Sequence, residues 1–220
     1  MLSYLDRIIF PNRCEVIEII PSQRYVYPIF KNGSSSLYKQ ARKSNWAIKI
    51  NEQIRRCHTI HVVLRDPQER LVSGINTFIQ WTMRDHPELD VDTVSWFAQQ
   101  YFYLDRHYAT QFSWLINLAR YIRPDTKLCF LSMTNLDQLT QLHELPKQLE
   151  PVSQDLKKQI MQSHNCQMYQ RIDQVIFDHC VGKSMTFNEL TLLIQDQDRA
   201  AYDFVVGYSQ QILAPLDALS

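Results

Sequence analysis

The hydrophobic and polar positions of this chain predict an alternation of strands and helices. Two β-branched and aromatic runs, CEVIEII at 14–20 and RYVYPIF at 24–30, are separated by the turn-forming PSQ and are typical of a hairpin. The continuous apolar runs HTIHVVL at 58–64 and KLCFLSM at 127–133 predict buried strands of a parallel sheet.

Helix-type patterns follow these strands. A helix is predicted over SLYKQARKSN, with Ser34 to Ser36 expected to cap it, and a second helix is expected to open at Pro67. Further helices are predicted at about 92–104, 110–122, 153–163, 168–180, 187–195 and 197–213. The alternation indicates an α/β domain with a parallel sheet and a helical C-terminal part.

The composition is that of a globular protein. The chain has 220 residues, of which 45% are hydrophobic and 21% charged, and this length fits one large domain. Neither an apolar run of the roughly 20 residues that span a bilayer nor a signal peptide is recognised, so we expect a cytoplasmic protein without a membrane partner. Five scattered cysteines without a CxxC pair favour reduced thiols over disulfides or a zinc site.

The charge is unevenly distributed along the chain. The formal net charge is zero, which gives no reason to expect a nucleic acid partner, but residues 31–70 carry nine Lys and Arg against three acidic residues. This excess is either a solvated basic helix face or a local positive field for a small polyanion.

The segment YPIFKNGSSSLYK, residues 27–39, has the features of an anion-binding loop. A loop that leads from a strand into a helix exposes unpaired N–H groups at the positive end of the helix dipole. Gly33 permits close approach of a ligand, and the following serines add hydroxyl donors, which together favour phosphate or sulfate. The alternative is a plain serine-capped helix. The triphosphate-binding pattern GxxxxGK[ST] is absent, which disfavours a kinase or an ATPase.

The segment LRDPQERLVS repeats this arrangement after the next predicted strand. Arg65 stands at the strand end and offers a planar fork of donors for phosphate oxygens, while Ser73 lies eight residues further on, in the following helix. Asp66 either orients Arg65 or caps that helix, and Arg70 is either a site residue or a helix-surface charge. Two anion-competent loops on neighbouring strands predict a ligand with two separated anionic groups.

Four segments resemble motifs of one enzyme family. YVYPIFKNGSSSLYK and VVLRDPQERLVSGINTF resemble the two cofactor motifs of sulfotransferases that use 3′-phosphoadenosine 5′-phosphosulfate, with the closest likeness to Golgi-type carbohydrate sulfotransferases, although no membrane anchor is recognised here. DRHYATQ at 105–111 is similar to the family's D-x-H-W-x-P-Q element, and MYQRIDQVIF at 168–177 to its closing Y-x-x-D-x-x-x-F helix.

The resemblance implies a fold and a domain organisation. It implies a P-loop-like three-layer α/β fold, in which helices flank a central parallel sheet. A single domain would span 1–220, with an N-terminal extension at 1–13, a family-like core at about 14–180 and a helical extension at about 181–220.

The resemblance also implies the roles of individual residues. The 5′-phosphosulfate would be held by Lys31 and the loop after it, that is by Asn32, Gly33, Ser34, Ser35 and Ser36. The 3′-phosphate would be held by Arg65 and Ser73. Sulfuryl transfer is expected to be a loose, in-line displacement in which Lys31 stabilises the leaving phosphate without a metal ion.

Several residues are candidates for binding or deprotonating the acceptor. His107 is the candidate general base, because histidine titrates near neutrality, with acceptor binding or packing as its alternatives. Glu52 and His61 are weaker candidates for the base, and Gln111 is a candidate for binding the acceptor. The aromatic residues between 96 and 108 either stack a sugar ring or belong to the core.

The expected function is therefore sulfuryl transfer from 3′-phosphoadenosine 5′-phosphosulfate to a hydroxyl acceptor. The acceptor is expected to be a carbohydrate, and the nucleotide product is 3′,5′-adenosine bisphosphate. The alternatives are a degenerate protein of the same fold that binds the nucleotide or a glycan without turnover, and a small nucleotide kinase, which is disfavoured.

Overall fold

The described part of the chain contains six strands, seven helices, two short 3-10 turns and a further helical segment. The structure is a computed structural model that describes residues 14–20, 22–29, 31–100, 107, 109–136 and 154–207. The strands are β1 Glu15–Ile19, β2 Arg24–Tyr27, β3 Ala47–Ile50, β4 Thr59–Leu64, β5 Lys127–Ser132 and β6 Ser184–Met185. The helices are α1 Ser34–Lys43, α2 Pro67–Asp85, α3 Val91–Gln100, α4 Gln111–Ala119, α5 Gln154–Gln162, α6 His164–Cys180 and α7 Phe187–Gln197. Short 3-10 turns cover Asn51–Arg56 and Met133–Asn135, and residues 199–207 are helical.

The strands form one mixed sheet in the order β3-β1-β2-β4-β5-β6. Strand β4 runs parallel to β2 on one side and to β5 on the other, and the remaining pairs are antiparallel. The predicted hairpin and the two predicted buried strands are therefore confirmed, but the sheet is not wholly parallel. Because parallel strands end at the same edge of a sheet, the loops that follow β2 and β4 leave side by side.

Helices pack against both faces of this sheet. Successive side chains of a strand point to opposite faces, and Val62 of β4 lies in the larger hydrophobic core while Val63 lies in a second one. Helices α2, α4, α6 and α7 contribute to the larger core, and α1 contributes Leu37 and Ala41 to the second. Segment 184–207 belongs to the same fold, since β6 pairs with β5 and α7 packs into the larger core.

The two helices that follow the anion-competent loops begin differently. Helix α2 begins at Pro67, as predicted, and the Oδ1 atom of Asp66 caps it by accepting a hydrogen bond from the Glu69 amide at 2.9 Å. The predicted serine cap of α1 is wrong: Gly33 is the residue before the helix, and no side chain caps it. Gly33 has a left-handed φ of 79°, which glycine adopts at little cost, and the serines already lie in the first helical turn.

Two further observations concern the cysteines and the apolar character of the helices. All five cysteines are free thiols, and four of them are buried. Within the described ranges, no helix has both the length and the apolar character needed to cross a membrane.

The larger core makes α2 sensitive to truncation. Phe78 is fully buried on α2, so Phe78→Ala should lower the free energy of unfolding by about 3–5 kcal/mol through lost burial and a cavity. Leu192→Ala is the control, because Leu192 is 65% exposed and its truncation should change stability by less than about 0.5 kcal/mol. Urea unfolding measures both values, and equal losses would contradict this assignment of the core.

Candidate functional site

The two predicted anion-binding loops are in direct contact. Lys31 follows β2 and Arg65 follows β4, and the Arg65 Nη1 atom donates a hydrogen bond to the Lys31 carbonyl oxygen at 3.2 Å. Lys31 has a φ of 67°, which is uncommon for a residue with a side chain and indicates a backbone held in place by its surroundings. The structure therefore brings the two loops together at one edge of the sheet.

The Lys31 side chain extends to helix α2. Its Nζ atom donates to the Oγ1 atom of Thr77, which in turn donates to the Ser73 carbonyl oxygen at 3.0 Å. Because Thr77 lies four residues after Ser73, the two share one face of the helix. The structure thus brings Lys31, Arg65 and the Ser73 turn together. The sequence analysis assigned no role to Thr77. Its spacing of four residues from Ser73, which places both on one helix face, could have indicated one.

The loop after Lys31 divides into an anchored part and an outward part. Asn32 is fully buried, and its Nδ2 atom donates to the Val63 carbonyl oxygen at 2.7 Å and to the Gln111 Oε1 atom at 2.6 Å. Gly33 and Ser34 are also buried, whereas Ser35 is exposed and Ser36 is partly exposed. The first-turn N–H groups of a helix have no intrahelical acceptor, so this end of α1 presents amide donors beside Lys31.

Gln111 joins both loops to helix α4. Its side chain is fully buried and forms two hydrogen bonds with the Arg65 backbone, accepting from N–H at 3.0 Å and donating to C=O at 3.2 Å. The same Oε1 atom accepts the bond from Asn32. The predicted contact between Gln111 and an acceptor stays untested. In the structure, this side chain connects the two loops.

A buried ion pair lies behind Gln111. Asp173 of α6 accepts hydrogen bonds from the Gln111 amide at 2.7 and 3.0 Å and from the Phe112 amide at 3.3 Å. The Arg70 Nη1 atom lies 3.8 Å from the Asp173 Oδ2 atom, and both residues are buried. The alternative that Arg70 is a helix-surface charge is therefore wrong. Asp173 lies in the quoted MYQRIDQVIF segment, but the sequence assigned it no role.

Burial shifts the pKa values of both partners. It raises the pKa of Asp173 to about 6, because loss of hydration outweighs the Arg70 charge and the amide donors. It lowers the pKa of Arg70 to about 10, against the attraction of Asp173. Within the described residues, the Nε and Nη2 atoms of Arg70 have no hydrogen-bond partner.

His107 lies beside helix α2, next to Trp81. It is buried, and its ring centroid is 4.8 Å from that of Trp81 in an edge-on arrangement. Trp81 follows Thr77 by four residues, so Ser73, Thr77 and Trp81 form a row along one helix face. Lys31 and His107 therefore contact consecutive turns of α2. The neighbouring residues 101–106 and 108, which include Asp105 and most of the predicted aromatic cluster, lie outside the described residues.

The weaker candidates for the general base are not brought to these loops. His61 lies within β4, about 13 Å before Arg65 along the strand, and its Nδ1 atom is 3.2 Å from the Tyr25 carbonyl oxygen. Glu52 is exposed in the 3-10 turn that precedes β4 and pairs with Arg55 at 3.0 Å. Both residues are remote from the C-terminal end of β4.

Only some of the Lys and Arg residues of segment 31–70 lie at the candidate site. Lys31, Arg65 and Arg70 lie at or behind the two loops, whereas Lys49 pairs with Glu18 at 3.0 Å on the antiparallel side of the sheet. Arg42 and Lys43 occupy the last turn of α1, at the opposite end from the loop. The local positive field therefore depends on a few side chains rather than on the whole segment.

Comparisons with known proteins give no relative for this site. No protein-family model, no curated protein and no solved structure matches the chain.

Removal of the Gln111 side chain should destabilise the fold. Gln111→Ala leaves the Arg65 amide and the Asn32 Nδ2 atom without their bonds to Oε1, and each lost bond to a buried group costs about 1–3 kcal/mol. Gln174→Ala is the control, since Gln174 is exposed on α6 and should change the free energy of unfolding by less than about 0.5 kcal/mol. Chemical denaturation measures both variants, and an unchanged midpoint for Gln111→Ala would refute the bridging role.

The raised pKa of Asp173 predicts a pH dependence of stability. Between about pH 4 and pH 6, the unfolded chain has lost the Asp173 proton while the folded chain retains it, so this group's contribution to stability falls as the pH rises. We expect the free energy of unfolding of the wild type, minus that of Asp173→Asn, to decrease across this interval. Denaturant titrations at several pH values measure the difference, and an increase with pH would contradict the assigned direction.

Proposed function

We propose that this chain is a sulfotransferase that transfers the sulfuryl group of 3′-phosphoadenosine 5′-phosphosulfate to a hydroxyl group of a carbohydrate. The observation that carries the proposal is the contact between the Lys31 and Arg65 loops at the ends of two adjacent parallel strands. This contact places the cationic groups of Lys31 and Arg65 and the N-terminus of α1 close together. A donor nucleotide with two separated anionic groups requires such an arrangement.

The proposal includes a P-loop-like fold. It is supported by the three neighbouring parallel strands β2, β4 and β5 and by helices on both faces of the sheet. It is also supported by the position of the candidate loops, because ligands of open α/β sheets bind beyond the carboxyl ends of the strands.

The residues present suit a nucleotide with a 5′ and a 3′ anionic group. Lys31, the first-turn amides of α1 and the hydroxyl groups of Ser35 and Ser36 would hold the 5′ end. The Arg65 guanidinium and Ser73 would hold the 3′-phosphate. The ion pair that Arg65 forms with Glu69 at 3.4 Å does not oppose this role, because Glu69 is largely exposed and such surface pairs are weak.

The residues of the site would contribute to transfer by position and charge. The bound nucleotide supplies a sulfuryl group activated by its bond to phosphate. Lys31 would stabilise the negative charge that develops on the 5′-phosphate oxygen, together with the amides at the start of α1. Gln111 would fix the relative position of the two loops, and His107 would accept the proton of the acceptor hydroxyl.

Substitution of Lys31 tests this mechanism most directly. Lys31→Ala should lower the rate of sulfate transfer by about 10²–10³, because a donor is lost at the site of developing charge. Binding of 3′,5′-adenosine bisphosphate should weaken much less. Lys39→Ala is the matched control, since Lys39 is an exposed residue of α1, the helix that follows the Lys31 loop, and this variant should retain full activity.

Transfer to a panel of glycans, with the sulfated nucleotide as donor, measures activity, and thermal melting measures binding of the product. At 100 times its dissociation constant the product should stabilise the fold by about 2.7 kcal/mol, which raises the Tm by about 5–10 °C. Full activity of Lys31→Ala would refute its role. Nucleotide binding without any transfer by the wild type would favour a binding protein over an enzyme.

A further inference from the structure

The buried guanidinium of Arg70 carries hydrogen-bond donors that its ion pair with Asp173 does not use. The Nε and Nη2 atoms, which form one edge of the group, are buried and have no hydrogen-bond partner among the described residues. The Nη1 atom is 3.8 Å from the Asp173 Oδ2 atom, which is longer than a hydrogen bond. The Asp173 oxygens accept from the backbone amides of Gln111 and Phe112 instead. Buried donors without an acceptor are costly, so this edge indicates a place for a bound acceptor.

Arg70 lies on the face of α2 that meets the Lys31 loop. Thr77, whose hydroxyl accepts from the Lys31 ammonium, follows Arg70 by seven residues, which is close to two helical turns. Ser73, which the proposed function assigns to the 3′-phosphate, follows Arg70 by three residues and shares this face. The three residues therefore follow one another along one side of the helix, and Arg70 is the one nearest its start at Pro67.

A second guanidinium lies close to that of Arg70. Burial lowers the pKa of Arg70, and the positive charge of Arg65 lowers it further, because like charges in proximity repel each other. A phosphate group would offset this repulsion with its negative charge. It would also give the Nε and Nη2 donors two acceptor oxygens, which is the bidentate geometry that a guanidinium favours. A water molecule at the same edge would supply no charge.

We propose that the Nε and Nη2 atoms of Arg70 bind two oxygens of the 3′-phosphate beside Arg65 and Ser73, and that this contact makes the site selective for nucleotides with a 3′-phosphate. This inference rests on the proposed function. Because Arg70 is only 1% exposed, the phosphate would lie below the surface, where charge-assisted hydrogen bonds are stronger than in water. Its entry would require the side chains that cover Arg70 to move.

Substitution of Arg70 by lysine separates phosphate binding from the ion pair. Arg70→Lys keeps a positive charge for Asp173 but cannot offer two donors in a planar fork. The selectivity of the site is the dissociation constant of adenosine 5′-monophosphate divided by that of 3′,5′-adenosine bisphosphate. We expect Arg70→Lys to lower this ratio at least tenfold, while the dissociation constant of the 5′-monophosphate changes less than threefold.

Two control variants distinguish this role from a structural one. Asp173→Asn removes the ion pair but keeps the Arg70 donors and an oxygen that accepts from the amides of α4, so it should not lower the ratio. Arg42→Lys makes the same substitution at an exposed position in the last turn of α1 and should leave both dissociation constants unchanged.

Calorimetric titration of the full chain with both nucleotides measures the ratio, and thermal melting confirms that each variant is folded. A ratio that falls in Arg70→Lys and does not fall in Asp173→Asn supports the inference. An unchanged ratio in Arg70→Lys, or an equal fall in Asp173→Asn, would overturn it and leave Arg70 as a partner of Asp173 alone. If Arg70→Lys does not fold, the double variant Arg70→Gln/Asp173→Asn, which removes both charges together, takes its place with the same expected fall.

The two proposals fail differently in this design. A wild type that binds neither nucleotide would overturn both. A wild type that transfers sulfate, with a ratio insensitive to Arg70→Lys, would retain the proposed function and lose the role of Arg70. A wild type whose ratio depends on Arg70 but that transfers no sulfate to any glycan would retain the phosphate contact and overturn the enzymatic function.

Discussion

The hydrogen bonds of one buried amide, that of Gln111, set the arrangement on which the candidate site depends. The side chain pairs with the N–H and C=O of Arg65 as a neighbouring strand would, and its oxygen also accepts from Asn32. Loops beyond strand ends usually lack such partners and vary in conformation. Here the amide fixes both loops against α4, and the Asp173 carboxylate fixes the start of α4 through the Gln111 and Phe112 amides.

The fixed positions of Lys31 and Arg65 suit a site that acts by position and charge. A site that works by position and charge needs donors whose geometry is set before the ligand binds, because reorientation during the reaction costs free energy. Lys31 and Arg65 meet this requirement through the contact between their loops and through the links to Thr77 and Gln111. The buried Arg70–Asp173 pair gives little stability by itself, since desolvation opposes the attraction of the two charges. Its contribution is to join α2 and α6 behind the site.

Local patterns predicted much of the fold and part of the site. The hairpin, the buried strands β4 and β5 and the start of α2 at Pro67 follow from short runs whose preference does not depend on distant residues. Strands β3 and β6 were not predicted, because they are short and gain their hydrogen bonds from neighbours in the sheet. The burial of Arg70 could not be read from its helix alone, since its partner is supplied by α6. The contact of Lys31 with Thr77 likewise depends on how β2 and α2 are placed by the sheet.

The central claim is that the two loops together bind two phosphates of one nucleotide. Calorimetric titration of the wild type with 3′,5′-adenosine bisphosphate, adenosine 3′-monophosphate and adenosine 5′-monophosphate tests it most directly. If both loops take part, the bisphosphate should bind at least tenfold more tightly than either monophosphate, which is a difference of about 1.4 kcal/mol. Equal affinity for all three nucleotides, or no heat with the bisphosphate, would contradict the account.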